Sequence, residues 1–380
     1  MTFLTESEKN RIATIHTSAY RGVFVVTGGG GEFLGKLLLV PGASQTVLEM
    51  IVPYSFAAIR DFLQAKPEHY CCAATARKLA VAAWYRARKW AEQGDEKRLL
   101  GLGLTATLAT NRPHTGQHRV YLAIHTCEQT LCYARYFTKE GTSREEEEQE
   151  LTAWALEILE NRVRECPGRI PLLEFQEAAS DWQELLCGKR LFCNVSSENS
   201  GKKPVGLFPG SFAPIHEGHC RILAVARELL AGDVGLELAV CNADKPPLDY
   251  VEIARRLEGI RQRKLRNTPV FLTATPYFEQ KAATFPETTF LVGADTINRI
   301  AEPRFYGGET ARMETSIRKI AEYGGRFLVF GRWDGEKFVT LEDLTLPPLL
   351  KSLCRGVPEV LFRKDISSTL LRRQLEVDSW

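Results

Sequence analysis

Two styles of hydrophobic patterning divide the chain. Up to about Arg164 the pattern is mixed. A polar start with helical spacing, capped by Thr5 or Ser7, leads to an apolar run over 23–27 that reads as a buried strand, then to the glycines Gly28 to Gly31. A long helix over 73–93, a strand pair over 102–109 and 120–126, and a last helix opened by the acidic run Glu145 to Glu150 follow. That run is read as a solvated first turn, where negative charge suits the helix dipole. From Val205 onward, short apolar strands (205–208, 236–241, 270–274, 289–293, 326–330, 359–362) alternate with helices (218–230, 251–265, 310–323, 368–375). This alternation predicts a mostly parallel sheet covered on both faces, with ligands outside the carboxyl ends of its strands. Between the two regions lie Pro167-Gly168, an amphipathic patch around Trp182, and Ser-Ser-Glu-Asn-Ser-Gly-Lys-Lys ending at Lys203. The expected organisation is an α/β domain over 1–165, a linker region over 166–203, and a second α/β domain over 204–380.

Composition narrows the function. The 380 residues exceed one ordinary domain, at about 150 residues each. With 49 Lys plus Arg against 47 Asp plus Glu, the net charge of +2 gives no broad attraction to nucleic acid or an anionic membrane, so neither is expected as a partner. No apolar run approaches the roughly 18 residues of a bilayer span, and the first residues lack an apolar signal core. The ten cysteines are irregularly spaced, with no Cys-x-x-Cys pair. They read as reduced thiols of a cytoplasmic protein without structural zinc. A homo-oligomer is expected.

The candidate chemistry concentrates where the first strand of the second domain ends, in Gly-Leu-Phe-Pro-Gly-Ser-Phe-Ala-Pro-Ile-His-Glu-Gly-His, residues 206–219. Gly210 and Ser211 allow backbone to approach a ligand. His216 and His219 open the next helix, where free N–H groups already favour phosphate, and two imidazoles can donate to charge developing on a phosphoryl oxygen. Gly218 leaves room beside them.

This stretch resembles the His-x-Gly-His motif of the nucleotidyltransferase superfamily, and its flanks are similar to nicotinate and nicotinamide mononucleotide adenylyltransferases. Ile366-Ser367-Ser368-Thr369-Leu370-Leu371-Arg372 resembles that family's Ile-Ser-Ser-Thr-x-x-Arg, and Phe290-Leu291-Val292-Gly293-Ala294-Asp295 its adenosine-contacting turn. The resemblance covers nearly all of 205–375 and implies a Rossmann-like fold and adenylyl transfer from ATP, carried with Mg²⁺, to a phosphorylated small molecule. Its implied ATP contacts are Gly210, Ser211, Phe212, Gly218, Gly293, Asp295, Ser367, Ser368, Thr369 and Arg372, with His216 and His219 catalytic and no protein residue assigned to the metal. Lys245 is a candidate for the mononucleotide phosphate, or an exposed loop lysine; Trp333 and Tyr306 are candidates for stacking on a pyridine ring. Ala213 stands where relatives carry Asp or Asn, removing one polar contact. Transfer to another phosphorylated acceptor with CTP, or nucleotide sensing without catalysis, remains open.

In the first domain, Thr27 through Gly31 and Val40-Pro41-Gly42-Ala43-Ser44 resemble the C-terminal domain of the CinA family, whose active members deamidate nicotinamide mononucleotide. Thr27 falls where that family's nucleophilic serine belongs, and Tyr54-Ser55 is followed by Ile59 in place of a lysine. Activating a hydroxyl without that cation is difficult, so the domain is expected to be catalytically degenerate. Gly30, Gly35 and Lys36 also match the spacing of a phosphate-binding loop, but Leu37 replaces the hydroxyl residue that would ligate Mg²⁺.

Overall fold

The computed structural model describes residues 4–92, 94–111, 116–138, 142–166, 168–196, 204–241, 247–263, 265, 268–333 and 336–363. The chain forms two compact units, one of Met1–Gln183 with Asp244–Ile253, the other of Glu184–Ala243 with Ala254–Trp380.

The first unit is built on a six-stranded sheet. Its strands are β1 (Arg21–Thr27), β2 (Val47–Ile51), β3 (Leu99–Thr107), β4 (Arg119–His125), β5 (Gln129–Tyr136) and β6 (Glu174–Glu177), in the order β2-β1-β3-β4-β5-β6. β1 runs parallel to β2 and β3, and the remaining neighbours are antiparallel. The helices are α1 (Glu6–His16), α2 (Gly31–Leu39), α3 (Ala43–Thr46), α4 (Phe56–Leu63), α5 (Ala73–Ala87), α6 (Arg144–Val163) and α7 (Ser180–Leu186). Thr5 and Glu8 form the capping box of α1.

The alternation in β3 explains the layering. Leu100, Leu102 and Leu104 share a core with Ile12, Ile15, Phe33, Leu37 and Leu156. The intervening Gly101 and Gly103 face the backbone of α5, where a Cβ would come within 2.1 Å of the Ala80 carbonyl and 2.3 Å of that of Ala76. An alanine-rich helix can therefore lie directly on the strand.

The acidic run opening α6 differs from expectation. Ser143 caps the helix, but Glu147 is fully buried, accepting from the Ala109 amide at 2.6 Å and meeting His118 Nδ1 at 2.5 Å. Glu148 accepts from the Glu32 amide in the first turn of α2. Two of these carboxylates thus satisfy backbone donors rather than water.

The described part of residues 166–203, expected to link domains, carries structure of its own. β6 extends the first sheet, α7 follows, and β7 (Phe192–Asn194) pairs with the second sheet. The short return of the chain at 244–253 also counts with the first unit. There Tyr250 is fully buried; its hydroxyl donates to the Cys127 carbonyl at 2.6 Å and its ring lies 5.0 Å from His125 and 6.4 Å from Trp182. Asp249 pairs with buried Arg77 at 3.1 Å. A fragment beginning near Lys202 would strip Tyr250 of these partners, so the second half is not a simple cut-out.

The second unit holds β7, β8 (Gly206–Pro209), β9 (Val234–Ala239), β10 (Val270–Thr273), β11 (Thr289–Gly293), β12 (Arg326–Phe330), the ribbon β13 (Arg332–Trp333) and β14 (Phe338–Val339), and β15 (Cys354–Gly356). The sheet order is β15-β12-β11-β8-β9-β10-β7, parallel except for β7. Its helices are α8 (Glu217–Leu230), α9 (Tyr250–Gln262), whose later part belongs here, α10 (Phe278–Thr284), α11 (Ala294–Ile300), α12 (Thr310–Glu322) and α13 (Pro348–Ser352). The chain winds from β8 through β9 to β10 on one side, then returns to β11 on the other. The switch point lies between β8 and β11, where ligands of such sheets bind.

One expected strand fails. Residues 359–362 form a turn in which the Pro358 carbonyl accepts from Leu361 and Phe362, and the edge strand is instead β15. Backbone groups committed locally cannot join a ladder. The expected helix at 368–375 lies outside the described residues. No helix among the described residues is long and apolar enough to cross a membrane.

Candidate active site

The loop from Gly210 to Ile215 leaves β8 at the switch point and delivers His216 as the N-cap of α8. Its turn is tight: Phe212 takes a left-handed φ of 46° and the Ala213–Pro214 bond is cis. Phe212 is buried and its ring lies 5.6 Å from Phe208 and 5.3 Å from His219. A Cβ on Gly210 would come within 2.5 Å of that ring. The bareness of Gly210 therefore serves Phe212, and Phe212 in turn packs the histidine.

The two histidines cap the helix for one another. Nδ1 of His216 accepts from the Gly218 amide at 3.1 Å, and Nδ1 of His219 accepts from the His216 amide at 3.1 Å. A nitrogen that accepts carries no proton, so each neutral ring bears its proton on Nε2. The rings lie 3.7 Å apart at 30°. Burial, then the neighbouring His216 and Arg263, push the His219 pKa down to about 3. His219 is thus a neutral donor with a fixed tautomer at the start of a fourteen-residue helix.

Two arginines hold the loop from the side. Arg256 Nη1 donates to the Ser211 carbonyl at 3.0 Å and Arg263 Nη2 to the Ile215 carbonyl at 3.2 Å. Both come from α9 or the residue following it, seven positions apart and so on one face. Sequence reasoning missed them, although that spacing was readable.

Across the switch point, Gly293 and Asp295 open α11. A Cβ at Gly293 would meet Asp295 Oδ1 at 2.6 Å, so the glycine makes room for the carboxylate. Asp295 pairs with Arg332 at 2.8 Å, both about half exposed, and Trp333, 39% exposed, follows Arg332 on β13. Arg332 is a third residue the sequence did not single out. Tyr306 is half-buried, its hydroxyl donating to the Ile300 carbonyl. Lys245, Ser367, Ser368, Thr369 and Arg372 lie outside the described residues.

The glycine turn of the first unit presents different chemistry. Thr27 is buried and its hydroxyl donates to the Pro53 carbonyl at 2.9 Å. Ile59 is buried, and Ser55 caps α4. Lys36 is ion-paired with Glu8 at 2.6 Å and Glu32 at 2.9 Å. That pairing, with Leu37 where a Mg²⁺-ligating hydroxyl residue would stand, argues against the phosphate-loop alternative.

With this geometry in view, the cytidylyltransferase-like family model matches residues 207–374, which places a nucleotidyltransferase-superfamily domain in the C-terminal half. Comparison with curated proteins found no match. Among solved structures, the chain is similar to a CinA superfamily protein of Klebsiella pneumoniae, with 15% identity, a TM-score of 0.34, and coverage of 43% of this chain and 99% of that one. A competence/damage-inducible protein of Agrobacterium tumefaciens matches with 19% identity, a TM-score of 0.34 and coverage of 43% and 99%. A CinA superfamily protein of Escherichia coli matches with 12% identity, a TM-score of 0.33 and coverage of 43% and 93%.

Proposed function

We propose, from a C-terminal domain that is nucleotidyltransferase-like, that this protein transfers the adenylyl group of ATP to nicotinamide or nicotinate mononucleotide and releases pyrophosphate. The observation that carries this reading is the mutual capping of His216 and His219, which commits both neutral rings to the Nε2–H form at a helix N-terminus on the switch point. In the reaction, an oxygen of the acceptor's phosphate forms a bond to the α-phosphorus while the bond to the β-phosphate oxygen breaks. The electron pair leaves with pyrophosphate, and no intermediate bonded to the protein is needed.

Negative charge grows on the oxygens around phosphorus during this displacement. Preorganised N–H donors meet it without reorientation, which is where such sites gain most of their rate. In this reading Asp295 would accept from ribose or base, Trp333 would stack on the acceptor's ring, and Lys245 would hold the acceptor's phosphate. Ser367, Ser368, Thr369 and Arg372 would hold the terminal phosphates of ATP. Arg256 and Arg263, donating to the carbonyls of the loop that carries the histidines, bring positive charge beside them, which suits a triphosphate arriving with Mg²⁺. When bound, the metal shares the charge of the leaving phosphates.

For the first unit the proposal is loss of amidase chemistry, because Thr27 is buried and committed to Pro53 while Lys36 is committed to Glu8 and Glu32. The reading is tested by pyrophosphate release from the full chain, with ATP or CTP against a panel of phosphorylated acceptors. Turnover is expected with ATP and a pyridine mononucleotide. Turnover only with CTP and another acceptor would replace the substrate assignment. Nucleotide binding without turnover in any combination would make the domain a sensor.

A further inference from the structure

We propose that Arg263 is a positioning residue for His219: by donating to the Ile215 carbonyl it fixes the peptide plane whose N–H holds the His219 ring in its Nε2–H tautomer. The inference rests on the nucleotidyl-transfer reading only for its consequence on rate. The connection itself is geometric. A trans peptide unit is planar, and its C=O and N–H point in opposite directions. Arg263 Nη2 lies 3.2 Å from the Ile215 oxygen on one side of the 215–216 peptide, and the His216 amide lies 3.1 Å from His219 Nδ1 on the other. One guanidinium therefore orients the donor that selects which ring nitrogen of His219 carries the proton.

The same arginine acts a second way. A charged donor at a carbonyl polarises the peptide and strengthens the hydrogen bond its N–H makes. Its positive charge also opposes protonation of the ring, reinforcing burial. Among the described residues, the titratable or charged groups acting on His219 are His216 from its own turn and Arg263 beyond α9. β8 and the loop contribute the uncharged rings of Phe208 and Phe212. Without Arg263 the peptide can rotate, the amide leaves Nδ1, and the proton can move to that nitrogen. The donor facing the reacting phosphate is then lost while the imidazole stays in place.

The test uses the full chain labelled with ¹⁵N-histidine, read by two-bond ¹⁵N–¹H correlation at neutral pH alongside steady-state kinetics. Wild-type His219 is expected as the Nε2–H tautomer. Arg263 is exposed, so Arg263→Gln leaves the core intact. In that variant, His219 is expected to show a mixture with Nδ1–H or protonated ring. kcat should fall about 10-fold, the scale of one charge-assisted hydrogen bond, with nucleotide KM nearly unchanged. Arg263→Lys, which keeps the charge, should restore part of both signals. An unaltered His219 tautomer in Arg263→Gln overturns the proposal, as does a wild-type ring protonated on Nδ1. A tautomer shift in a chain that releases no pyrophosphate from any nucleotide would sink the transfer reading and leave the positioning role standing.

Discussion

Replacing His219 separates chemistry from folding because the two losses differ in size. His219→Ala removes an oriented Nε2–H donor, and such donors typically contribute about 10²–10³ in kcat, or roughly 2.7–4 kcal/mol of transition-state stabilisation. It also removes Nδ1, which accepts from the His216 amide at 3.1 Å and completes the reciprocal cap of α8. Losing a cap costs about 0.5–2 kcal/mol of stability. Against a typical total of about 5–15 kcal/mol, that leaves nearly every molecule folded. A hundredfold drop in turnover therefore cannot come from unfolding. His219→Asn sharpens the comparison, since its short side chain retains the capacity to cap but places no donor where Nε2 stands. Single-turnover pyrophosphate release with saturating ATP and a pyridine mononucleotide should show both variants slowed about 100-fold or more, while thermal melts of the two differ. Nucleotide affinity by calorimetry should change little. If His219→Asn turns over at the wild-type rate, or if the whole loss lies in KM, the ring does not meet charge in the transition state.

Three other outcomes are expected. Asp295→Ala should raise the nucleotide KM about tenfold with kcat retained, the signature of a contact made equally before and during reaction; a fall in kcat alone would exclude ribose or base as its partner. Burial holds His125 in the first unit and, with His216 and Arg263, His219 in the second near a pKa of about 3, below the ordinary 6.5. The unfolded chain then takes up protons below about 6.5 while the folded one does not, so stability should be full above that pH and fall progressively toward pH 3. Denaturant melts across this window that show no loss would mean these rings are already protonated in the fold. Finally, full-length protein should release no ammonia from nicotinamide mononucleotide; release abolished by Thr27→Ala would restore the threonine as a nucleophile.

What the sequence revealed depended on how local the determinants were. The strands at 289–293 and 326–330 were readable because a central parallel strand is apolar throughout, and α8 because a phosphate-style loop announces its start. The histidines were found as a pair, but their mutual capping was not, since it depends on ring orientation rather than residue type. Gly210 was read as space for ligand; only packing shows the space is taken by Phe212. Glu147 looked like part of a solvated charge run because its partners, Ala109 and His118, are remote in sequence. The strand expected at 359–362 gave way to a turn around Pro358, where local hydrogen bonds outweighed apolar composition.

The return of residues 244–253 to the first unit bears on how the protein is made. A ribosome reading from the N-terminus delivers Gln183 well before Tyr250, and at about 5–20 residues per second the wait is roughly 3–13 s. Throughout that interval the Cys127 carbonyl and the rings of His125 and Trp182 lack the tyrosine they contact, and Arg77 has Glu174 but not Asp249 beside it. The first half of the polypeptide thus emerges as an incomplete body that β8, α8 and β9 must follow before it can close. Synthesis order and structural order diverge here, and a pause in translation before residue 250 would prolong the life of the unfinished unit.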